Sequence, residues 1–328
     1  MFLASPERSV CLPPGCAYKT FPCCATRNRD CLLSVHGAGA VCMEATEPIS
    51  LEDLALVHCN PQHLHRLCTD AALVYDVFDL LPAESASQGY DIIESVVLPL
   101  RYQLANLVLA TQHAYLNKCI TLAPGAGHHH AHPDAAMGGG LFCDVPLAWL
   151  KLRASVPGGE ALKALYIDVD VHHANGYAEA RAQLGMQDHF FMLDVHNKEI
   201  WPFVDEEGAD VAVPSVEHLN ISVPIECGIG GRAYLARLEE ALERAAAELP
   251  AVNMVFYMCH LDALKDDPLG RTNVSAQHVY KRDRMVVAWA RQRGLPMVIM
   301  PSRGYGASSC RVARESMARL NDEFRIWE

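Results

Sequence analysis

Short β-branched and apolar runs alternate along this chain with longer stretches of helical apolar spacing. The runs predict strands at Ile120–Leu122, Leu165–Asp170, Phe190–Val195, Leu219–Val223, Asn253–Met258 and Pro296–Met300. The spacing predicts helices over 51–56, 93–116, 144–152, 175–184, 234–249, 275–293 and 308–320. Ser50, with Asp53 three residues later, is a candidate N-cap, and Pro99 starts or kinks its helix. Val156-Pro157-Gly158-Gly159 breaks the chain between a helix and a strand. Strand and helix alternate throughout, as in a parallel sheet covered on both faces. The expected fold is therefore α/β, a single three-layer αβα domain with a mostly parallel central sheet. No internal repeat or boundary follows residue 50. The domain is expected over 49–328, preceded by an irregular Cys- and Pro-rich arm over 1–48.

Composition narrows the picture. With 328 residues, 51% hydrophobic and 20% charged, the chain can bury a large core. Its formal net charge of −12 and its lack of a basic block speak against direct nucleic-acid binding. No uninterrupted apolar run is long enough for a membrane span, and the first residues lack an apolar secretory segment. The 13 cysteines are scattered, with Cys143, Cys227 and Cys259 in apolar runs. That pattern predicts reduced thiols in a reducing compartment.

Chemistry concentrates where strands end. Asp168-Val169-Asp170-Val171-His172-His173 directly follows the apolar run Ala164–Ile167. A strand interior tolerates unpaired carboxylates poorly, whereas the carboxyl edge of an open α/β sheet is where ligands bind. Asp170 and His172 alternate by two and so leave the same face of an extended chain. Three further polar clusters follow strand candidates: Gly127-His128-His129-His130, Asp262 within 259–270, and Arg303-Gly304-Tyr305-Gly306. Asp170, His172 and Asp262 supply three oxygen and nitrogen donors with one position open, the arrangement of catalytic zinc. Activated water needs a base, which His129 or His130 offers near neutral pH. A hydroxyl such as that of Tyr305 suits a developing oxyanion.

Taken together, these motifs resemble the zinc-dependent histone deacetylase family, on the arginase/deacetylase fold. The order runs Gly127–Ala131, then Asp168–His173, then Asp262 with Asp267-Pro268-Leu269-Gly270, then Gly304-Tyr305. Leu98–Gln103, Leu193–Asn197 and Asn175-Gly176 bring it nearest the class IV branch. The resemblance covers roughly residues 50–320. It implies zinc on Asp170, His172 and Asp262, and a tandem general base and acid pair in His129 and His130. Asp168 would bond one of these histidines and Asn175 the other. A structural monovalent cation such as K⁺ would lie near Asp168. The implied reaction is hydrolysis of an N-acyl-lysine amide, acetyl or longer, on proteins including histones, with corepressor-type partners in the nucleus or cytoplasm.

Departures from the family pattern set up the alternatives. Gly138-Gly139-Gly140 stands where the family has Gly-Phe-Cys, so among the substrate-binding positions Gly138, Gly139 and Phe142, Gly139 would replace the Phe that walls the acyl-lysine tunnel unless a shifted alignment restores Phe142 there. His260 replaces a Gly two residues before Asp262, and would crowd the metal or join it. Arg303 replaces a Gly before Gly304-Tyr305. The alternatives are a scaffold that keeps the fold without the activity, and an amidohydrolase for small acylated cations such as acetylpolyamines.

Overall fold

The computed structural model describes residues 43–80, 90–205, 207–301 and 304–326. The expected arm over 1–48 therefore falls almost wholly outside the described residues, as does Arg303. Among the described residues, six parallel strands form one sheet: β1 (Ile120–Leu122), β2 (Ala164–Asp168), β3 (Phe190–Asn197), β4 (Ile221–Ile225), β5 (Met254–Met258) and β6 (Met297–Met300). Their order across the sheet is β1-β6-β5-β2-β3-β4. β2, β3, β5 and β6 are buried at every position. This is why they read as continuous apolar runs instead of alternating ones.

Successive strand residues face opposite sides, and each side has its own core. Tyr166, Phe190, Phe256 and Met258 pack against Leu98–Asn117 and Asp144–Ser155. Leu165, Ile167, Tyr257 and Ile299 pack against Gly231–Glu248, Ala276–Gln292 and Ser309–Phe324. The result is the expected three layers.

The predicted elements form within a few residues of their expected bounds. The helix expected over 93–116 begins as a π-helical turn, Ile93–Val97, and becomes α-helical at Leu98–Asn117, with Pro99 in its first turn. Two helices lacked a prediction: Pro61–Thr69, capped by the Asn60 side chain, and Ala71–Val77, capped by Asp70. Among the described cysteines, Cys59, Cys68, Cys119, Cys143, Cys227 and Cys259 are free thiols. Cys310 is disulfide-bonded, which departs from the expectation of reduced thiols throughout.

β2 stops two residues earlier than predicted. The Asp168 side chain accepts the Asp170 N–H at 2.9 Å, and the Asp170 side chain accepts the His172 N–H at 2.7 Å. Two successive side-chain-to-backbone turns thus replace the strand ladder. Register places Asp168 beside Met258 of β5, and Met258 beside Met300 of β6. The segments leaving β2, β5 and β6 therefore emerge side by side at one sheet edge.

Candidate metal centre and active site

The histidine loop follows β1, at the end of the sheet, and must be steered inward. Gly127 and His128 donate their N–H groups to Asp144 at 2.7 and 3.0 Å, and Asp144 also accepts from Tyr177 Oη. Gly127 has φ +100°, and a Cβ there would overlap the Met258 side chain, so only glycine fits. His129 and His130 are buried, with ring centroids 3.9 Å apart.

The two histidines have different partners. His129 Nδ1 bonds Asp168 Oδ2 at 2.8 Å, and Tyr166 Oη donates to the same oxygen at 2.6 Å. Burial opposes a charge on His129, but the carboxylates of Asp168 and Asp170 outweigh it and hold its pKa at about 9. His130 Nδ1 lies 2.7 Å from Asn175 Oδ1. Burial, followed by the neighbouring His129, pushes His130 well below the ordinary imidazole value. The amide oxygen can only accept, so His130 carries its proton on Nδ1 and keeps the Nε2 lone pair available.

The donor atoms beyond β2 and β5 converge. His172 Nδ1 lies 2.9 Å from Asp170 Oδ1 and 3.1 Å from Asp262 Oδ2. Zinc bonds to such atoms are about 2.0–2.2 Å, so ligands on one tetrahedral ion sit about 3.3 Å from each other. One imidazole and two carboxylates at this spacing fit a divalent ion. Asp262 is fully buried, and burial together with the Asp170 charge raises its carboxyl well above the usual range. A cation is the natural relief for two buried carboxylates held this close. A second group, His173, Asp194 and His196, also brings donor atoms together. There His173 Nδ1 already bonds Asp194 at 2.5 Å and His173 Nε2 meets Ser215 at 2.9 Å. The Asp168 carboxylate is engaged by three protein donors, and no geometry at it speaks for a monovalent cation.

A cavity of about 540 Å³ opens onto this centre, lined by His130, Gly138, His172, Trp201, Leu269 and Tyr305 among others. The Trp201 ring lies 4.6 Å from that of His130. Tyr305 reaches the cavity because Asp267 accepts the N–H groups of Tyr305 and Gly306 with one oxygen and those of Leu269 and Gly270 with the other.

The family model for the histone deacetylase domain matches residues 22–320. The chain belongs to the histone deacetylase family. The deacetylase family consists of hydrolases acting on amide bonds. Histone deacetylase 2 of Arabidopsis thaliana is 27% identical over 279 residues, covering 84% of this chain and 67% of that protein. The crystal structure of the HDA15 HD domain superposes with a TM-score of 0.69 at 21% identity, covering 92% of this chain and 84% of that one. An acetylpolyamine aminohydrolase from Burkholderia pseudomallei gives a TM-score of 0.69 at 17% identity, with 98% of each chain covered. At such identities the structural likeness speaks for the arginase/deacetylase fold alone.

Placed within a deacetylase, the glycine run has a local cause. Met137 and Gly140 exchange backbone hydrogen bonds at 3.2 and 2.8 Å, and Gly138 and Gly139 have φ +56° and +71°. Both central residues of this tight turn need positive φ, which a Phe would resist. Gly138 lines the cavity, whereas Gly139 donates to Val77 O and accepts from His128. Phe142 is buried in the core, where its ring makes a T-shaped contact with His58. Trp201, Asp144, Asp267 and Arg282 escaped the sequence reading. Only the Asp-Pro-Leu-Gly string hinted at Asp267, and nothing local hinted at Trp201.

Proposed function

We propose that this chain hydrolyses N-acyl-lysine amides on proteins, histones among them, at a zinc centre held by Asp170, His172 and Asp262. The observation that carries this reading is the juxtaposition of that donor set with two buried histidines whose protonation is biased in opposite directions. Pairs of titratable groups pushed apart in this way divide the work of base and acid. Zinc, when bound, polarises an amide carbonyl and acidifies water. His130 is neutral at physiological pH and accepts the proton of the attacking water at Nε2. His129 is protonated and supplies a proton toward the departing lysine nitrogen. Asn175 and Asp168 orient these rings from Nδ1. The Tyr305 hydroxyl donates to the developing oxyanion. Gly138 and Trp201 border the path of the acyl-lysine stem.

The test is turnover of acetyl- and long-acyl-lysine peptides by the zinc-loaded chain, with zinc measured in parallel. Asp170→Ala and Asp262→Ala should each lose both zinc and activity. Activity in a zinc-free variant would sink the proposal, and zinc without turnover of any acyl-amine would favour the scaffold reading.

One observation favours a second substrate class. Asp79, Glu199 and Asp205 line the cavity with a single guanidinium, Arg271, among them. A rim with this balance attracts small acylated cations. Comparing kcat/KM for acetylpolyamines and acetyl-lysine peptides decides between the two.

A further inference from the structure

We infer that His260 is a fourth protein ligand to the metal, making a centre of two imidazoles and two carboxylates. This deepens the metal reading above and rests on it. His260 leaves the sheet two residues beyond the end of β5 and two before Asp262. It is 2% exposed. Its Nδ1 contacts Asp170 Oδ2, the carboxylate oxygen turned away from His172. The His129 Nε2 atom lies 3.6 Å from the same oxygen, and the His129 and His260 rings are 5.8 Å apart. Donor atoms of Asp170, His260 and Asp262 all lie within 4.8 Å of one another. His172 Nδ1 meets the same two carboxylates, 2.9 Å from Asp170 Oδ1 and 3.1 Å from Asp262 Oδ2.

The backbone fixes this placement. Arg282, fully buried, donates from Nη1 to the His260 carbonyl at 2.6 Å. Arg282 is itself held by Asp283, which also accepts from Tyr257 and Ser316. The strand end that carries the imidazole is thereby braced.

The chemical consequence follows from ligand number. Three protein ligands leave a tetrahedral ion one open position, and four close it. A centre with His260 bound keeps room for water and a carbonyl oxygen only on an ion that accepts a larger shell. Imidazole with carboxylate suits first-row ions such as Fe²⁺ and Co²⁺ as well as Zn²⁺. Metal choice in this chain is then set partly by His260.

The experiment is X-ray absorption on the full chain loaded with Zn²⁺, and separately with Co²⁺, for wild type, His260→Gly and His260→Ala. Imidazole rings give a distinct outer-shell scattering pattern, so they can be counted without reference to activity. Wild type should show two imidazoles and both variants one. Competition with a chelating indicator should show metal affinity falling at least about tenfold in the variants. Wild-type spectra stand alone should the variants fail to fold. One imidazole in the wild type, or tighter metal binding in His260→Gly, overturns the inference and leaves His260 as a neighbour that crowds the ion. Absence of any bound metal in the wild type after reconstitution would overturn the donor-set reading itself.

Discussion

His129 and His130 are adjacent residues of one type, equally buried, yet they hold protons over different pH ranges. Burial and the neighbouring His129 lower His130, which has only the Asn175 amide at its Nδ1, whereas the carboxylates of Asp168 and Asp170 overcome burial at His129. A carboxylate stabilises imidazolium, whereas an amide oxygen stabilises it far less. Asn175→Asp should therefore raise the His130 pKa. The base form would then be lost at higher pH, and the acid limb of kcat/KM should move upward by about one unit. A pH–rate profile measures this, and an unmoved limb would exclude His130 as the base. Gly138 is a second residue whose identity is imposed by its surroundings. A Cβ there would lie 2.8 Å from His130 Cδ2 and 3.0 Å from the Trp201 ring, at φ +56°. Gly138→Ala should cost about 1–3 kcal/mol of stability. It should also lower kcat/KM, as read from denaturant unfolding and steady-state rates.

At the level of elements, the site is assembled by clamps between segments leaving different strands. Asp267, beyond β5, holds the backbone that carries Tyr305, beyond β6. Four N–H groups surround its carboxylate, and an amide in its place would turn an NH₂ toward one pair of them. Asp267→Asn should leave metal content intact and lower kcat by about 10²-fold through displacement of the Tyr305 hydroxyl. Metal analysis beside kinetics separates this from loss of the centre. The same logic explains why β2 ends early. Asp168 and Asp170 capture the N–H groups two residues on, so the chain turns and brings the His172 ring back to Asp170. Period-two alternation placed both residues at the site, but the side-chain turns produce the convergence.

Across the whole molecule, His58 shows how a remote segment supports the site. It is fully buried, bonds Pro133 O through Nδ1 at 3.0 Å, and accepts the Cys143 N–H through Nε2 at 3.1 Å. It thereby ties the region near residue 58 to both ends of the loop that carries the glycine turn. Burial lowers its pKa from 6.5 to about 4. Below pH 6.5 the unfolded chain takes up a proton that the folded chain refuses. Stability from this group is therefore present above pH 6.5 and is lost as pH falls toward 4, on the order of 3 kcal/mol in all. Thermal unfolding from pH 7 to 4 should show a smaller loss in His58→Gln than in wild type, and equal slopes would refute the assignment.

The strands, their parallel arrangement and the four polar clusters at their ends were legible in the sequence, because fully buried strands need continuous apolar runs and the site needs polar residues at one edge. Asp170, His172, Asp262, His129 and His130 carried enough chemistry in their order to be singled out. The tertiary structure decided what distance along the chain conceals. It put Trp201 against His130 from an irregular segment with no periodicity, and sent Phe142 into the core. It also brought His260 to Asp170 from the ends of two neighbouring strands, β5 and β2. These placements depend on which strand ends are neighbours in the sheet and on turns held by side-chain hydrogen bonds. Neither leaves a local pattern, so only the folded chain defines them.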